Sequence, residues 1–272
     1  MKSNLLLCAA TALLLTGCSD SNDIAEKEEI NEQQSQSTDD QTDAKDKNEN
    51  ETEPKQQLTS KEIINETAKL LNTEVPVKLP GNLPINPDYH LSALTSSERN
   101  QYSIQFFETL QPIPINDDKL TSEEENVVTL KATRYETAEE AAEQIDYQDH
   151  SDNGAMAVDL GFDIKGYRDA GAGSQFIGWN EGRWSLEMRA LTEQGNEIEE
   201  KAKKVVQFLE KNVLPIPHEW GAIKLDVSDT SETLTQQIIW QEDTVVYEIE
   251  TTTSYMDALE IAVTIHEKDV QK

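Results

Sequence analysis

The residues best placed to do chemistry are few and scattered. Asp149-His150-Ser151-Asp152-Asn153-Gly154 sets oxygen donors at alternate positions ahead of a glycine, as the first half of a calcium loop does. The twelfth position is Leu160, where a bidentate Glu would be needed, and Asp159 stands one residue early. The run therefore reads as an Asx-rich turn, with a looser cation site as the alternative. Leu160 to Ser174 gathers Gly161, Gly166, Gly171 and Gly173. Gly171-Ala172-Gly173 has the look of a phosphate cradle, but no Gly-Lys-Ser/Thr follows and a strand pattern comes next, so the helix N-terminus such a cradle needs is missing. The stretch is expected to be a turn-rich loop and, as the longest irregular segment, the best guess for a functional surface. His90, His150, His218 and His266 lie far apart, without metal-ligand spacing, and read as surface or turn residues. No Gly-x-Ser-x-Gly occurs, and 53 acidic residues are too many for one acid–base pair to stand out. Trp179, Trp184, Trp220 and Trp240 read as core residues rather than a sugar platform. No catalytic, metal or cofactor-binding residue is assigned.

Charge narrows the partners. The 272 residues carry 53 acidic and 23 basic side chains, a net charge of −30. Nucleic-acid binding needs clustered Lys and Arg and is excluded as an expectation. A basic docking patch for anionic lipid is excluded in the same way. Two cysteines make neither a disulfide scaffold nor a four-cysteine zinc site.

The elements that must position these residues are legible in outline. Thr59 with Glu62, Thr137 with Glu140, Asn196 with Glu199 and Ser254 with Asp257 have capping-box spacing before apolar residues at helical period. Strand alternation runs through Tyr102-Ile104-Phe106 and Val128-Leu130-Ala132. Two hairpins are expected, around Asn180-Glu181-Gly182 and around Gln241-Glu242-Asp243. Hairpin followed by helix recurs over about 101–147, 175–212 and 235–266. Fold class is therefore α+β: an antiparallel sheet built from repeated hairpin–helix units, with helices on one face. Leu83-Pro84-Ile85 and Leu214-Pro215-Ile216, each followed by an aromatic and a Leu at equal offsets, echo one another, as do Trp179-Asn180-Glu181 and Trp240-Gln241-Glu242. Duplicated halves of one sheet or two similar subdomains, divided near 213, would both produce these echoes.

The N-terminus is different in kind. Lys2 is followed by an apolar run from Leu5 to Leu15. As a helix it would rise about 16 Å, too short for a hydrocarbon core of roughly 30 Å, which marks a signal-peptide core. The run ends in Leu15-Thr16-Gly17-Cys18, which resembles a bacterial lipobox. The resemblance implies a signal peptide over 1–17, cleavage between Gly17 and Cys18, and diacylglyceryl transfer to the Cys18 thiol. Cys8 would then leave with the signal, and no thiol would remain for catalysis. Residues 18–57 are the lipidated Cys and a tether. Beyond Cys18 they hold 13 acidic and 4 basic side chains, with Ile24, Ala25, Ile30 and Ala44 the only apolar ones. Such a segment is expected to be disordered, spanning roughly 35 Å. Residues 58–272 form the globular region, with 40 acids against 18 bases.

Taken together, the lipobox, the polar tether, Leu83-Pro84-Ile85, the Gly161–Ser174 stretch, Trp179 to Trp184 and Trp240-Gln241 make the chain similar to uncharacterised lipoproteins of Gram-positive bacteria. The resemblance implies no activity and carries over no catalytic residue. The expectation is a non-enzymatic lipoprotein, held on the outer face of the cell membrane through Cys18. It would bind an envelope protein or wall component. A solute- or cation-binding lipoprotein is the alternative, and an extracytoplasmic enzyme the third choice.

Overall fold

The computed structural model describes residues 58–121, 126–152, 155–194, 197–228 and 234–268. Helix α1 (Ser60–Leu70) opens on a capping box: Thr59 accepts from the Glu62 N–H, and the Glu62 carboxylate accepts from the Thr59 N–H. The chain continues through β1 (Lys78–Leu79), β2 (His90–Glu98), β3 (Gln101–Thr109), β4 (Asn126–Arg134) and α2 (Ala138–Ala142). Next come β5 (Met156–Gly161), β6 (Ile164–Gly171), β7 (Ser174–Glu181), β8 (Trp184–Leu191) and α3 (Ile198–Leu209). Strands β9 (Gly221–Asp226), β10 (Gln236–Glu242) and β11 (Val245–Thr251) lead to α4 (Tyr255–Val263) and β12 (His266–Glu267).

Ten strands form one sheet in the order β2-β3-β4-β11-β10-β9-β8-β7-β6-β5, and β1 pairs separately with β12. The fold is mixed, strand-rich and dominated by antiparallel pairing. One junction is parallel, β8 beside β9, with Trp184 opposite Gly221 and Leu186 opposite Ile223. Two consecutive parallel strands need a crossover, and α3 supplies it. Alternation along the strands divides the sheet into two faces. Ile104, Leu130, Ile249, Ile238, Ile223, Leu186 and Trp179 are register partners in turn, and all belong to the main core. That face is covered by α1, α3 and α4, through residues such as Ile64, Val205 and Leu259.

Not every helix lies on this face. Ala141 and Ile145 pack with Val246 and Ala222, whose side chains alternate with those of Tyr247 and Ile223 and therefore point the other way. The five-residue α2 is thus on the opposite side from the other three helices. The expected Asn196 cap lies outside the described residues, and α3 starts after Glu197 with no side-chain cap. The stretch Leu160–Ser174 is not an irregular loop. It is β6 between two tight turns, made possible by positive φ at Phe162, Asp163, Ala172 and Gly173. Gly166 within β6 answers to packing, since a Cβ there would lie 2.8 Å from Leu160 Cδ1.

At the parallel junction, the indole of Trp184 lies on Gly221. A Cβ at 221 would sit 2.5 Å from Trp184 Cε3. Trp184 is buried and its indole N–H donates to the Pro215 carbonyl, so the ring cannot shift without losing that bond. Gly221→Ala is expected to cost about 1–3 kcal/mol, the typical penalty of overpacking. Gly81→Ala, whose methyl would meet only ordinary 3.6 Å contacts, is the comparison and should change stability far less. Urea unfolding of both variants measures the difference; equal effects would remove the steric argument.

Candidate functional site

Two surfaces gather polar or exposed apolar groups. The first is the sheet face that α2 only partly covers. Here charges of opposite sign stand on neighbouring strands. Lys131 Nζ is 2.7 Å from Glu250 and 3.6 Å from Glu248. Lys224 pairs with Asp146, and Arg189 with Asp226. Burial opposes the Lys131 charge, but hydrogen bonds to Glu250 and Glu248 prevail and hold its pKa above the ordinary lysine value. Glu187 sits among them with its carboxyl pushed up, chiefly by burial, while Lys224 pulls it down. Lys131, Lys224 and Arg189 are thereby occupied by carboxylates.

The segment after α2 crosses this face as a strap. Tyr147 packs on Trp220 with ring centres 4.1 Å apart. Asn180 on β7 donates to the Gln148 carbonyl and accepts from the His150 N–H. His150 then lies over Gly178, where a Cβ would be 2.1 Å from its Nδ1. The other ring nitrogen, Nε2, is buried and has no hydrogen-bond partner among the described residues. Of the four histidines, His150 is therefore not a surface residue: it is 6% exposed, and only the missing side chain at 178 makes room for it. Asp149, the first residue of the calcium-like run, spends its carboxylate on the Ser151 N–H and hydroxyl, an Asx turn. Asn153 and Gly154 lie outside the described residues. Among the described residues no group of three or more His, Cys, Asp or Glu side chains is arranged to hold a metal ion.

The second surface is a cleft of about 370 Å³ beside the β7–β8 turn. Its walls are Glu181 to Trp184, with Arg183 among them, Leu209 at the end of α3, and the chain from Asn212 to Pro217. Val213 and Ile216 are 77% and 75% exposed there, among the most exposed large apolar residues described. Trp184 Nε1 donates to the Pro215 carbonyl, and Arg183 donates to the Pro217 carbonyl. Glu181 accepts from the Trp179 indole N–H at 2.8 Å. Burial pushes the Glu181 carboxyl above its ordinary pKa, the Trp179 hydrogen bond opposes this, and Glu210 raises it further.

The sequence placed Trp179, Trp184 and Trp240 in the core, and there they are; Trp220 is only half-buried. The cleft itself was not read from the sequence. The signal that could have found it is the Leu214-Pro215-Ile216 echo, which follows its helix after a much shorter link than Leu83-Pro84-Ile85 does. The segment 1–57, including Gly17 and Cys18, lies outside the described residues. No helix among the described residues is long and apolar enough to cross a membrane. No protein-family model matches the chain, and neither does any curated protein or solved structure.

His150 carries a pH signature. Burial holds its imidazole below the ordinary value of 6.5, against a weaker pull upward from Asp149. Between the native and unfolded values the native state binds fewer protons, so stability rises with pH there. The contribution is complete above about pH 6.5 and is lost as pH falls through the lower native value. Urea unfolding of wild type and His150→Gln between pH 7.5 and 4.5 should show a steeper acid-side loss in wild type. Parallel curves would mean that the ring is protonated without penalty.

Proposed function

We propose that this chain is a lipid-anchored extracytoplasmic protein whose globular region, residues 58–272, works by binding another component of the cell envelope. The observation that carries the anchor is Leu15-Thr16-Gly17-Cys18 at the end of an eleven-residue apolar run. Two acyl chains, at about 0.8 kcal/mol per buried methylene, are enough for stable attachment. An acidic segment follows, which anionic lipid repels, and so it would hold the globular region away from the bilayer. Binding rather than catalysis is favoured by the chemistry on view. Glu187 and His150 share the face that α2 only partly covers, but among the described residues no hydrogen bond joins them, Glu181 lies on the other surface, and no nucleophile sits beside a base oriented by a third group.

The sheet is also read as built from repeated hairpin–helix units. In support, β7-β8-α3 and β10-β11-α4 each join an antiparallel hairpin to a helix. Each also bonds a Trp indole to the Glu two residues later.

Labelling cells with a clickable fatty acid tests the anchor. The wild-type protein and Cys8→Ser are expected to incorporate label and sediment with membranes. Cys18→Ser is expected to lose both properties. Full labelling of Cys18→Ser would sink the proposal.

A further inference from the structure

Two Trp-x-Glu hairpins stand in this molecule, and among the described residues only one of them has its counter-charge. In the β10–β11 hairpin, Trp240 Nε1 donates to Glu242 at 2.9 Å, and Lys78 Nζ approaches the same carboxylate at 2.8 Å. The Lys78 ammonium also lies 5.5 Å from the centre of the Tyr247 ring, and the next residue, Leu79, is fully buried. Both belong to β1, which is held in place by pairing with β12 just after α4. In the β7–β8 hairpin, Trp179 holds Glu181 in the same manner, but among the described residues Glu181 has no ion pair. The link that brings Lys78 across Glu242 is the long one between α1 and Leu83. The corresponding link between α3 and Leu214 is short, and among the described residues no strand is laid along it. The cleft of about 370 Å³ lies there, with Val213 and Ile216 exposed on its wall.

We propose that this cleft takes an extended, lysine-bearing segment of a partner protein, its ammonium on Glu181 and its neighbouring apolar side chain against Val213 and Ile216. Charge complementarity commits the site to a cation. Glu181 is half-buried, Glu210 adds a second negative charge to its surroundings, and Arg183, which also lines the cleft, spends its guanidinium on the Pro217 carbonyl rather than on Glu181. A bare calcium or magnesium ion is a poor fit, because it needs six or more oxygen ligands and the cleft wall is mostly Leu, Val, Ile, Pro and Trp. A lysine suits both parts, since its methylene stem lies along apolar surface while its head pairs with the carboxylate. Lys78 followed by Leu79 is the molecule's own example of such a segment seated on a Trp-x-Glu hairpin. The inference names a partner for the binding role proposed above, and the cleft does not depend on the anchor.

The probe is a fluorescent peptide, acetyl-Val-Pro-Val-Lys-Leu-Pro-amide, titrated against the full-length protein and against full-length Cys18→Ser. Saturable and equal binding to both is expected, so that failure of the anchor and failure of the cleft are read separately. Glu181→Gln should bind at least tenfold more weakly, while Glu242→Gln binds as wild type. The indole N–H resonances of Trp179 and Trp184 should move on titration and that of Trp240 should not. A peptide with Gln in place of Lys that binds as well would leave only an apolar groove and overturn the proposal. So would undiminished binding to Glu181→Gln, or no saturable binding at all. A concentration-dependent dimer in sedimentation, abolished in Glu181→Gln, would put a second copy in the cleft and overturn a foreign partner.

Discussion

The sheet holds together across one seam, and that seam depends on an indole lying where a residue has no side chain. On either side of it the strands are antiparallel: β2-β3-β4-β11-β10-β9 on one flank, β8-β7-β6-β5 on the other. Only β8 and β9 join them. Trp184 lies flat enough on Gly221 that any Cβ there would overlap the ring. From that point an aromatic row runs inward, Trp184 to Trp240 at 6.5 Å and Trp240 to Tyr247 at 5.3 Å. The row ends in polar bonds, with Trp184 on the Pro215 carbonyl and Tyr247 on the Pro76 carbonyl. Each ring therefore buries its apolar area and still satisfies its one polar group, which lets such large side chains sit in the centre of a sheet. The burial is deep enough to push the Tyr247 hydroxyl far above its ordinary pKa.

The seam also explains how an acidic chain tolerates a ten-stranded sheet. One face is closed by α1, α3 and α4, so its inward residues are mostly apolar, with the hydrogen-bonded Gln236 and Thr251 among the exceptions. The other face is left to the strap after α2 and to cross-strand ion pairs. Lys131, Lys224 and Arg189 each stand opposite a carboxylate on a neighbouring element. Most of the excess acid is then free to stay on solvated helices and loops, where repulsion is cheap. The edges are handled separately. Asn116, at φ 62, donates its N–H to the Ala93 carbonyl and accepts from the Thr95 N–H, which occupies the outer side of β2. The middle of β2 is thereby closed to a further strand.

What was legible in the sequence is what local chemistry decides. The Thr59–Glu62 and Ser254–Asp257 caps form because donor and acceptor are three residues apart on one turn. The hairpins at Gly182 and Asp243 form because both positions tolerate positive φ. What was hidden is what distant residues decide. Gly166 looks like a loop residue until Leu160 and Ile177 are seen to close on it. The pairing of β4 with β11 and the parallel step from β8 to β9 join strands whose partners no short window contains. The side of the sheet taken by α2 follows from Val246 and Ala222, which alternate with core residues and look no different from them in the sequence. His150 lies in a turn, but its burial was hidden for the same reason: it depends on a glycine 28 positions away.

The Trp-x-Glu echo shows how much a repeated motif says and where it stops. The motif fixes the carboxylate, since an indole N–H two residues back holds one of its oxygens in both hairpins. It does not fix the charge balance, because that comes from whatever chain runs past the hairpin. At Glu242 a long link brings Lys78, and the pair is half-buried and complete. At Glu181 a short link leaves apolar side chains and a neighbouring Glu210 instead. Burying a carboxylate without a cation is costly, and a fold gains nothing in stability by leaving one so. The same arrangement becomes reasonable if the missing charge arrives from outside, because the cost is then removed only on binding. Under that proposal, the two hairpins differ in that one carboxylate is used to build the molecule and the other is left to pair with a partner's cation.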